Sequence, residues 1–159
     1  MERIHYERHD LALKELPFIF NKSVCQAKAF FPAHMYANWH ENIEIIYVTE
    51  GKGKIICDFT EFDVEKGDVF VINSDVLHGF SMADDEEAFE YYYMIVGRDF
   101  CASNGIDTDE VRFFEKIKDV ETAEKYEKIA EVFEMNSEYK GLMKGRRCRS
   151  FFSTLQPNI

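Results

Sequence analysis

Apolar and polar positions alternate in short runs from Val24 to Val96. The clearest runs are Ile43–Thr49, Lys54–Asp58, Val69–Ile72, His78–Met82 and Phe89–Val96, punctuated by Gly51, Gly53, Gly67 and Gly79. A strand places successive side chains on opposite faces, so alternation marks a half-buried strand. Many short strands with regular turn signals predict a sandwich or barrel. No helical stretch separates them, which disfavours a parallel α/β sheet. Pro17 introduces the apolar Phe18-Ile19-Phe20, and Asn21-Lys22-Ser23 reads as a turn. Residues 1–16 are polar and charged and read as an arm or frayed terminus.

The period changes after Val96. Gly97 to Asp107 reads as a connection. Asp107 with Glu110 resembles a capping pair, predicting a helix over Thr108–Val120 with Val111, Phe114 and Ile117 on one face. Thr122 is positioned to cap a second helix, in which Tyr126, Ile129, Ala130 and Phe133 form an apolar stripe. Both helices are short and amphipathic, so they need the barrel or a second copy of the chain to pack on. There is no internal repeat and no low-complexity segment.

Composition narrows the classes. The chain has 159 residues, a length that one domain accounts for. Hydrophobic residues make up 46%, with 15 Phe and 8 Tyr, enough for a packed core. With 30 acidic against 19 basic residues the net charge is −11, which argues against this chain holding phosphate backbones by itself. The charge is uneven: residues 141–159 contain Lys144, Arg146, Arg147 and Arg149 and no acid. That basic run reads as a solvated or disordered tail before it reads as a nucleic-acid patch. No apolar run approaches the roughly 18 residues of a membrane span. The first residues carry no apolar signal region, so the expected compartment is the cytoplasm. Cys25, Cys57, Cys101 and Cys148 lack metal or redox spacing and read as reduced thiols.

Two stretches carry chemistry. In Asn38-Trp39-His40-Glu41-Asn42-Ile43-Glu44, a regular strand puts Asn38, His40 and Glu44 on one face with Ile46 and Val48. Ile43, Ile45 and Tyr47 make the other face apolar as well, so both faces need a cover. In Gly67 to Phe80, a strand ends in Asn73-Ser74-Asp75 and the next opens with His78, placing His78, Phe80 and Met82 on one face.

These stretches resemble the two signature motifs of the cupin superfamily. The first motif is His-x-His, three or four residues, Glu, six residues, Gly; here Asn38, His40, Glu44 and Gly51 fill it. The second is Gly, five residues, Pro-x-Gly, two residues, His; here Gly67, Asn73, Asp75 and His78 fill it. The departures are Asn38 for a metal-ligand His, and Asn73 and Asp75 for the turn Pro and Gly. The order of arm, Leu16-Pro17-Phe18, barrel, Asp99-Phe100-Cys101, Asn104-Gly105-Ile106-Asp107 and two helices is similar to the sensor half of arabinose-regulator-type (AraC-type) transcription regulators. Trp39-His40-Glu41-Asn42-Ile43-Glu44-Ile45-Ile46-Tyr47-Val48 is especially similar, and the resemblance covers roughly residues 16 to 143.

The resemblance implies a mainly β fold, a cupin double-stranded β-helix (jelly-roll barrel) followed by two α-helices. It divides the chain into an arm (1–16), a barrel (17–107), a helical dimerisation segment (108–143) and a basic tail (144–159), the last expected to be disordered or frame-altered. It implies a small-molecule effector, in some relatives a sugar, and a homodimer through the C-terminal helices. The family's DNA-binding half finds no place after Met143, so the expectation is a truncated or frame-altered gene product or a fragment, contacting neither nucleic acid nor membrane.

Ligand-binding candidates are Tyr36, Asn38, His40, Glu44, His78, Phe80 and Tyr92, convergent polar groups on an aromatic wall. Trp39 ranks below them because it lies on the opposite parity from His40. His40, Glu44 and His78 also match three of the usual cupin metal ligands, and two His with one carboxylate can hold a divalent metal (Mn, Fe, Ni or Zn). The amide of Asn38 is a poor transition-metal ligand, so no cofactor is the leading expectation. The competing class is a metal-dependent small cupin enzyme of dioxygenase or isomerase type, although no nucleophile pattern stands out and no catalytic residue is assigned. A third is a stand-alone dimerisation module.

Overall fold

A computed structural model describes residues 4–9, 11, 17–26, 37–83, 88–134 and 157–158. Among the described residues, twelve strands and two helices follow in the order β1 (Ile4–Tyr6), β2 (Phe18–Cys25), β3 (Ala37–Trp39), β4 (Ile43–Glu50), β5 (Lys52–Cys57), β6 (Thr60–Glu65), β7 (Val69–Ile72), β8 (His78–Met82), β9 (Phe89–Val96), α1 (Arg98–Ser103), β10 (Arg112–Phe113), β11 (Lys116–Ile117), α2 (Val120–Glu134) and β12 (Pro157–Asn158). One five-stranded sheet runs β1-β3-β8-β5-β6 and the other β11-β7-β4-β9-β2. All their pairings are antiparallel except β1 with β3. Two such sheets face to face make the mainly β jelly-roll that the alternating pattern predicts.

The core between the sheets holds Ile46, Val48, Ile55, Phe70, Ile72, Met82 and Phe89. A second core lies on the far face of β4 and β9. There Ile43, Ile45, Tyr47, Tyr92 and Met94 pack with Phe113, Tyr126, Ile129 and Ala130. This explains why β4 is apolar on both faces: the barrel interior covers one and α2 the other. Tyr126, Ile129 and Ala130 of the α2 stripe point inward, while Glu121, Glu124, Glu127, Lys128 and Glu131 stay exposed.

Several expectations are corrected. Asn21-Lys22-Ser23 is not a turn; β2 runs through it, paired with β9 from Phe18↔Val96 to Cys25↔Phe89. β2 is an edge strand, and polar residues suit an edge. Thr108–Val120 is not a helix. Asp107 closes one turn, its carboxylate accepting from the Asp109 N–H, and the chain then extends into β10 and β11. β11 adds to β7, a long-range pairing that overrides the local helical period. The helical part of 108–143 therefore begins at Val120, and its cap is Asp119, not Thr122: the Asp119 carboxylate accepts from the Thr122 N–H at 2.8 Å. The connection from Gly97 to Asp107, read from the sequence with a short turn around Phe100, contains α1 at that place.

The arm is not simply frayed, since Ile4–Tyr6 pairs with Ala37–Trp39. The first-motif strand is not regular either. β3 and β4 belong to different sheets, and His40–Asn42 carries the chain between them. At the other end, Pro157–Asn158 pairs with β10, so the last residues of the basic tail are in a strand. Arg146, Arg147 and Arg149, with Cys148, lie outside the described residues, as does the side chain of Phe133. Cys25, Cys57 and Cys101 are not joined in disulfides, and the latter two are buried.

Candidate functional site

His40, Glu44 and His78 converge although they come from two sheets. They are 1%, 6% and 2% exposed. His40 sits in the crossing between sheets, its carbonyl accepting the Asp75 N–H at 2.9 Å. Asp75 has φ 62, a left-handed conformation that Gly adopts freely and Asp tolerates. Asp thus replaces the motif's Gly without losing the turn. Asn73, in place of the motif's Pro, bonds Phe113 through both ends of its amide.

The two imidazoles are oriented alike. His40 Nδ1 lies 3.0 Å from the Asn42 carbonyl and His78 Nδ1 2.9 Å from the Val76 carbonyl. A carbonyl oxygen only accepts, so both rings carry their proton on Nδ1. Both Nε2 atoms then face the same carboxylate oxygen, Glu44 Oε2, at 3.2 and 3.3 Å. A bare Nε2 lone pair would repel that oxygen. Each Nε2 therefore meets it either as an N–H donor or across a cation. Burial pushes the Glu44 carboxyl up, but hydrogen bonds from His40 and His78 outweigh it and hold the group down at about 2. Burial also opposes charging of His78, yet the bond to Glu44 and its charge raise the imidazole above its ordinary value.

This donor set fits a divalent metal. One ligand atom from each residue lies within 4.8 Å of the others. The Nδ1–H···O=C bonds leave the Nε2 lone pairs for coordination, the usual arrangement around histidine ligands. When bound, such an ion supplies Lewis acidity at its open positions.

The arm closes over this cluster. His9 packs its ring 4.8 Å from His40, which in turn lies 4.9 Å from His78. Asn42 Oδ1 accepts the Arg98 N–H, so its Nδ2 is the donor facing His9 Nδ1 at 3.3 Å. Glu7 reaches the same place: Asn38 Nδ2 donates to Glu7 Oε2 at 3.3 Å. Contact with His9 lowers the Glu7 carboxyl below its ordinary value, against burial and the nearby Glu44 charge.

An aromatic wall runs away from His78. Phe80 meets His78 edge-on at 6.1 Å and stacks on Tyr91 at 5.1 Å; Tyr91 stacks on Phe89 at 5.2 Å. Burial pushes the Tyr91 hydroxyl up to about 12, while a hydrogen bond with Ser23 pulls the other way. Asn21 Nδ2 donates to the Tyr93 hydroxyl at 3.2 Å.

The sequence-derived candidates divide on this geometry. His40, Glu44 and His78 meet, with Asn38 and Phe80 beside them. Tyr92 does not join them: it faces the other way and stacks on Phe20 at 5.3 Å, in the core beneath α2. Its neighbour Tyr91 takes the interior place. Trp39 is 37% exposed and packs on Tyr6. Tyr36 lies outside the described residues. Glu7, His9, Tyr91 and Tyr93 were not anticipated. Both faces of β9 are buried, so its pattern does not single out Tyr91, and no local signal brings the arm to position 40. A separate surface cleft of about 480 Å³ lies on the far side of β4, lined by Tyr47, Asp68, Lys116 and Glu127. Its polar groups pair with one another, Lys116 with Asp68 and Tyr47 with Glu127.

The comparisons agree with this architecture. Residues 23–124 match the model of the AraC-like ligand binding domain. The chain belongs to that family. The matched span starts in β2, contains all three residues of the buried cluster and ends in α2, so the cluster lies inside the AraC-like domain. No curated protein sequence matches the chain. Among solved structures, an apo ToxT variant from Vibrio cholerae superposes with a TM-score of 0.57 at 12% identity, over 86% of this chain and 55% of that one. The cupin domain of Schizosaccharomyces pombe Cnp3 gives a TM-score of 0.47 at 20% identity, over 58% of this chain and 66% of that one. The AraC-like domain thus spans about half the length of the Vibrio protein. No helix among the described residues is long and apolar enough to cross a membrane.

Proposed function

We propose that this domain senses a small polar effector, a sugar or similar polyhydroxy compound, for a transcription regulator. The observation that carries the reading is the buried His40–Glu44–His78 cluster next to the Phe80–Tyr91 wall. Charged acceptors and donors can orient hydroxyls, while an aromatic face packs against the C–H face of a ring. Membership of the AraC-like ligand binding family supports it.

Homodimerisation goes with this reading. The apolar stripe of α2 is already used against the barrel. Among the described residues of α2, the face left for contact between protomers is mostly charged, with Val120 exposed at its start. With a net charge of −11, the chain leaves DNA contact to a separate domain.

Thermal denaturation with a panel of monosaccharides, polyols and their acids tests the proposal. Effector at about a hundredfold over Kd stabilises by about 2.7 kcal/mol. For a domain of this size that is a rise of roughly 5–10 °C. Glu44→Gln should reduce the rise. No shift with any member of the panel would sink the sugar reading.

One observation favours a second reading, a metal-dependent cupin enzyme: both Nε2 atoms face a single carboxylate oxygen. Turnover of a metabolite that requires added metal and fails in His40→Ala would select it over sensing.

A further inference from the structure

A carboxylate from the arm stands near the three inner donors, close enough for its charge to be felt by Glu44 and His40. Asn38 faces the interior, Cα-paired with His78 across β3 and β8. Its amide does not face the cluster as a ligand; it holds the Glu7 carboxylate at 3.3 Å. The arm is seated to deliver that group: β1 runs beside β3, and the Glu7 N–H bonds the Trp39 carbonyl at 3.0 Å. His9 adds a buried imidazole whose Nε2 lies 3.3 Å from Glu7 Oε1 without hydrogen-bond alignment. Two carboxylates and three imidazoles thus share one mouth. The Glu44 charge works against the Glu7 carboxylate, a repulsion that His9 offsets and that a bound divalent cation would turn into attraction.

We propose that Glu7 is an arm-borne ligand of a divalent transition metal whose inner donors are His40, Glu44 and His78, so that binding the metal and seating the arm are one event. Glu7 stands outside the 4.8 Å inner cluster, with its side chain 45% exposed. It joins the metal by exchanging its Asn38 contact for the ion. A set of two imidazoles and two carboxylates is harder than three imidazoles and one carboxylate. It shifts preference toward manganese and iron and away from zinc. This goes beyond effector sensing, and its failure leaves that reading standing.

The experiment uses the whole chain and Co²⁺ as the probe, read by absorption spectroscopy and calorimetry. Trypsin cleavage after Arg8 reports the arm. The wild type should bind one equivalent, with cleavage slowed by the metal. Glu7→Gln should weaken binding about tenfold, the lower end of what a supporting group contributes, and abolish the protection. His40→Ala should remove binding altogether. Asn38→His, which supplies an inward imidazole, should restore tight binding in the Glu7→Gln background without restoring protection. Melting curves of the metal-free variants establish that each folds. Wild-type affinity and protection in Glu7→Gln would overturn the proposal, as would absence of stoichiometric cobalt in the wild type.

Discussion

Asn73 and Phe113 are joined by two buried hydrogen bonds. The Asn73 amide donates to the Phe113 carbonyl at 3.0 Å and accepts the Phe113 N–H at 2.7 Å. One side chain thereby substitutes for a strand partner, tying the turn before β8 to β10. Asn73→Ala leaves both backbone groups buried without a partner, at about 1–3 kcal/mol each. We expect a loss of about 2 kcal/mol or more in urea unfolding with an unchanged m-value. Asn73→Asp should retain the accepting half only and fall between.

The Glu44 cluster sets an acid limit on stability. The carboxyl titrates at about 2 in the folded chain against an ordinary 4.5. Its contribution, about 3 kcal/mol, is present above pH 4.5 and is lost as pH falls toward 2. His78 works in the opposite sense. Its folded value lies above 6.5, so its share is complete below pH 6.5 and fades as pH rises through that raised value. The metal-free protein should melt highest between about pH 5 and 6.5. Glu44→Gln should flatten both limbs, and an unchanged profile would contradict the pairing.

Tyr91 and Tyr92 separate binding from packing. Tyr92→Ala removes a ring from the core beneath α2 and should cost about 3–4 kcal/mol, with effector shifts retained. Tyr91→Phe removes only the hydroxyl beside Ser23 and should alter effector or ligand response with a smaller loss of stability. Parallel melting curves with and without effector distinguish the two.

Gly53 is packed against an aromatic ring. A Cβ there would stand 2.5 Å from Phe89 Cδ1 and Cε1 and 2.7 Å from the Ser81 carbonyl. The carbonyl is backbone and cannot turn aside. Gly53→Ala should therefore destabilise by about 1–3 kcal/mol, measurable by calorimetry.

The strands from Ile43 to Val96 were legible because each is a short run rich in β-branched and aromatic residues and Gly residues mark the turns. His40, Glu44 and His78 were legible because motif spacing survives where motif residues have changed. The failures share a cause, which is pairing at long range. Lys22 and Ser23 look like a turn until β9 lies beside them, and Val111, Phe114 and Ile117 look helical until β7 takes Lys116 and Ile117. Tyr92 is a candidate in the sequence and Tyr91 holds the interior place, because Phe89–Val96 is buried on both faces and its pattern does not mark which face is the interior. Glu7 and His9 were invisible because their partners lie 31 and 33 positions away.

Strand β4 carries the interior carboxylate at Glu44 and, at the next residue, the carbonyl of Ile45 that anchors the Tyr126 hydroxyl of α2 at 2.7 Å. Neighbouring residues of one extended segment thus belong to two compartments, the binding interior and the helical layer. A strand has no slack along its length. A ligand that shifts the backbone at Glu44 therefore acts one residue from the seat of the helix, with no loop or hinge between them.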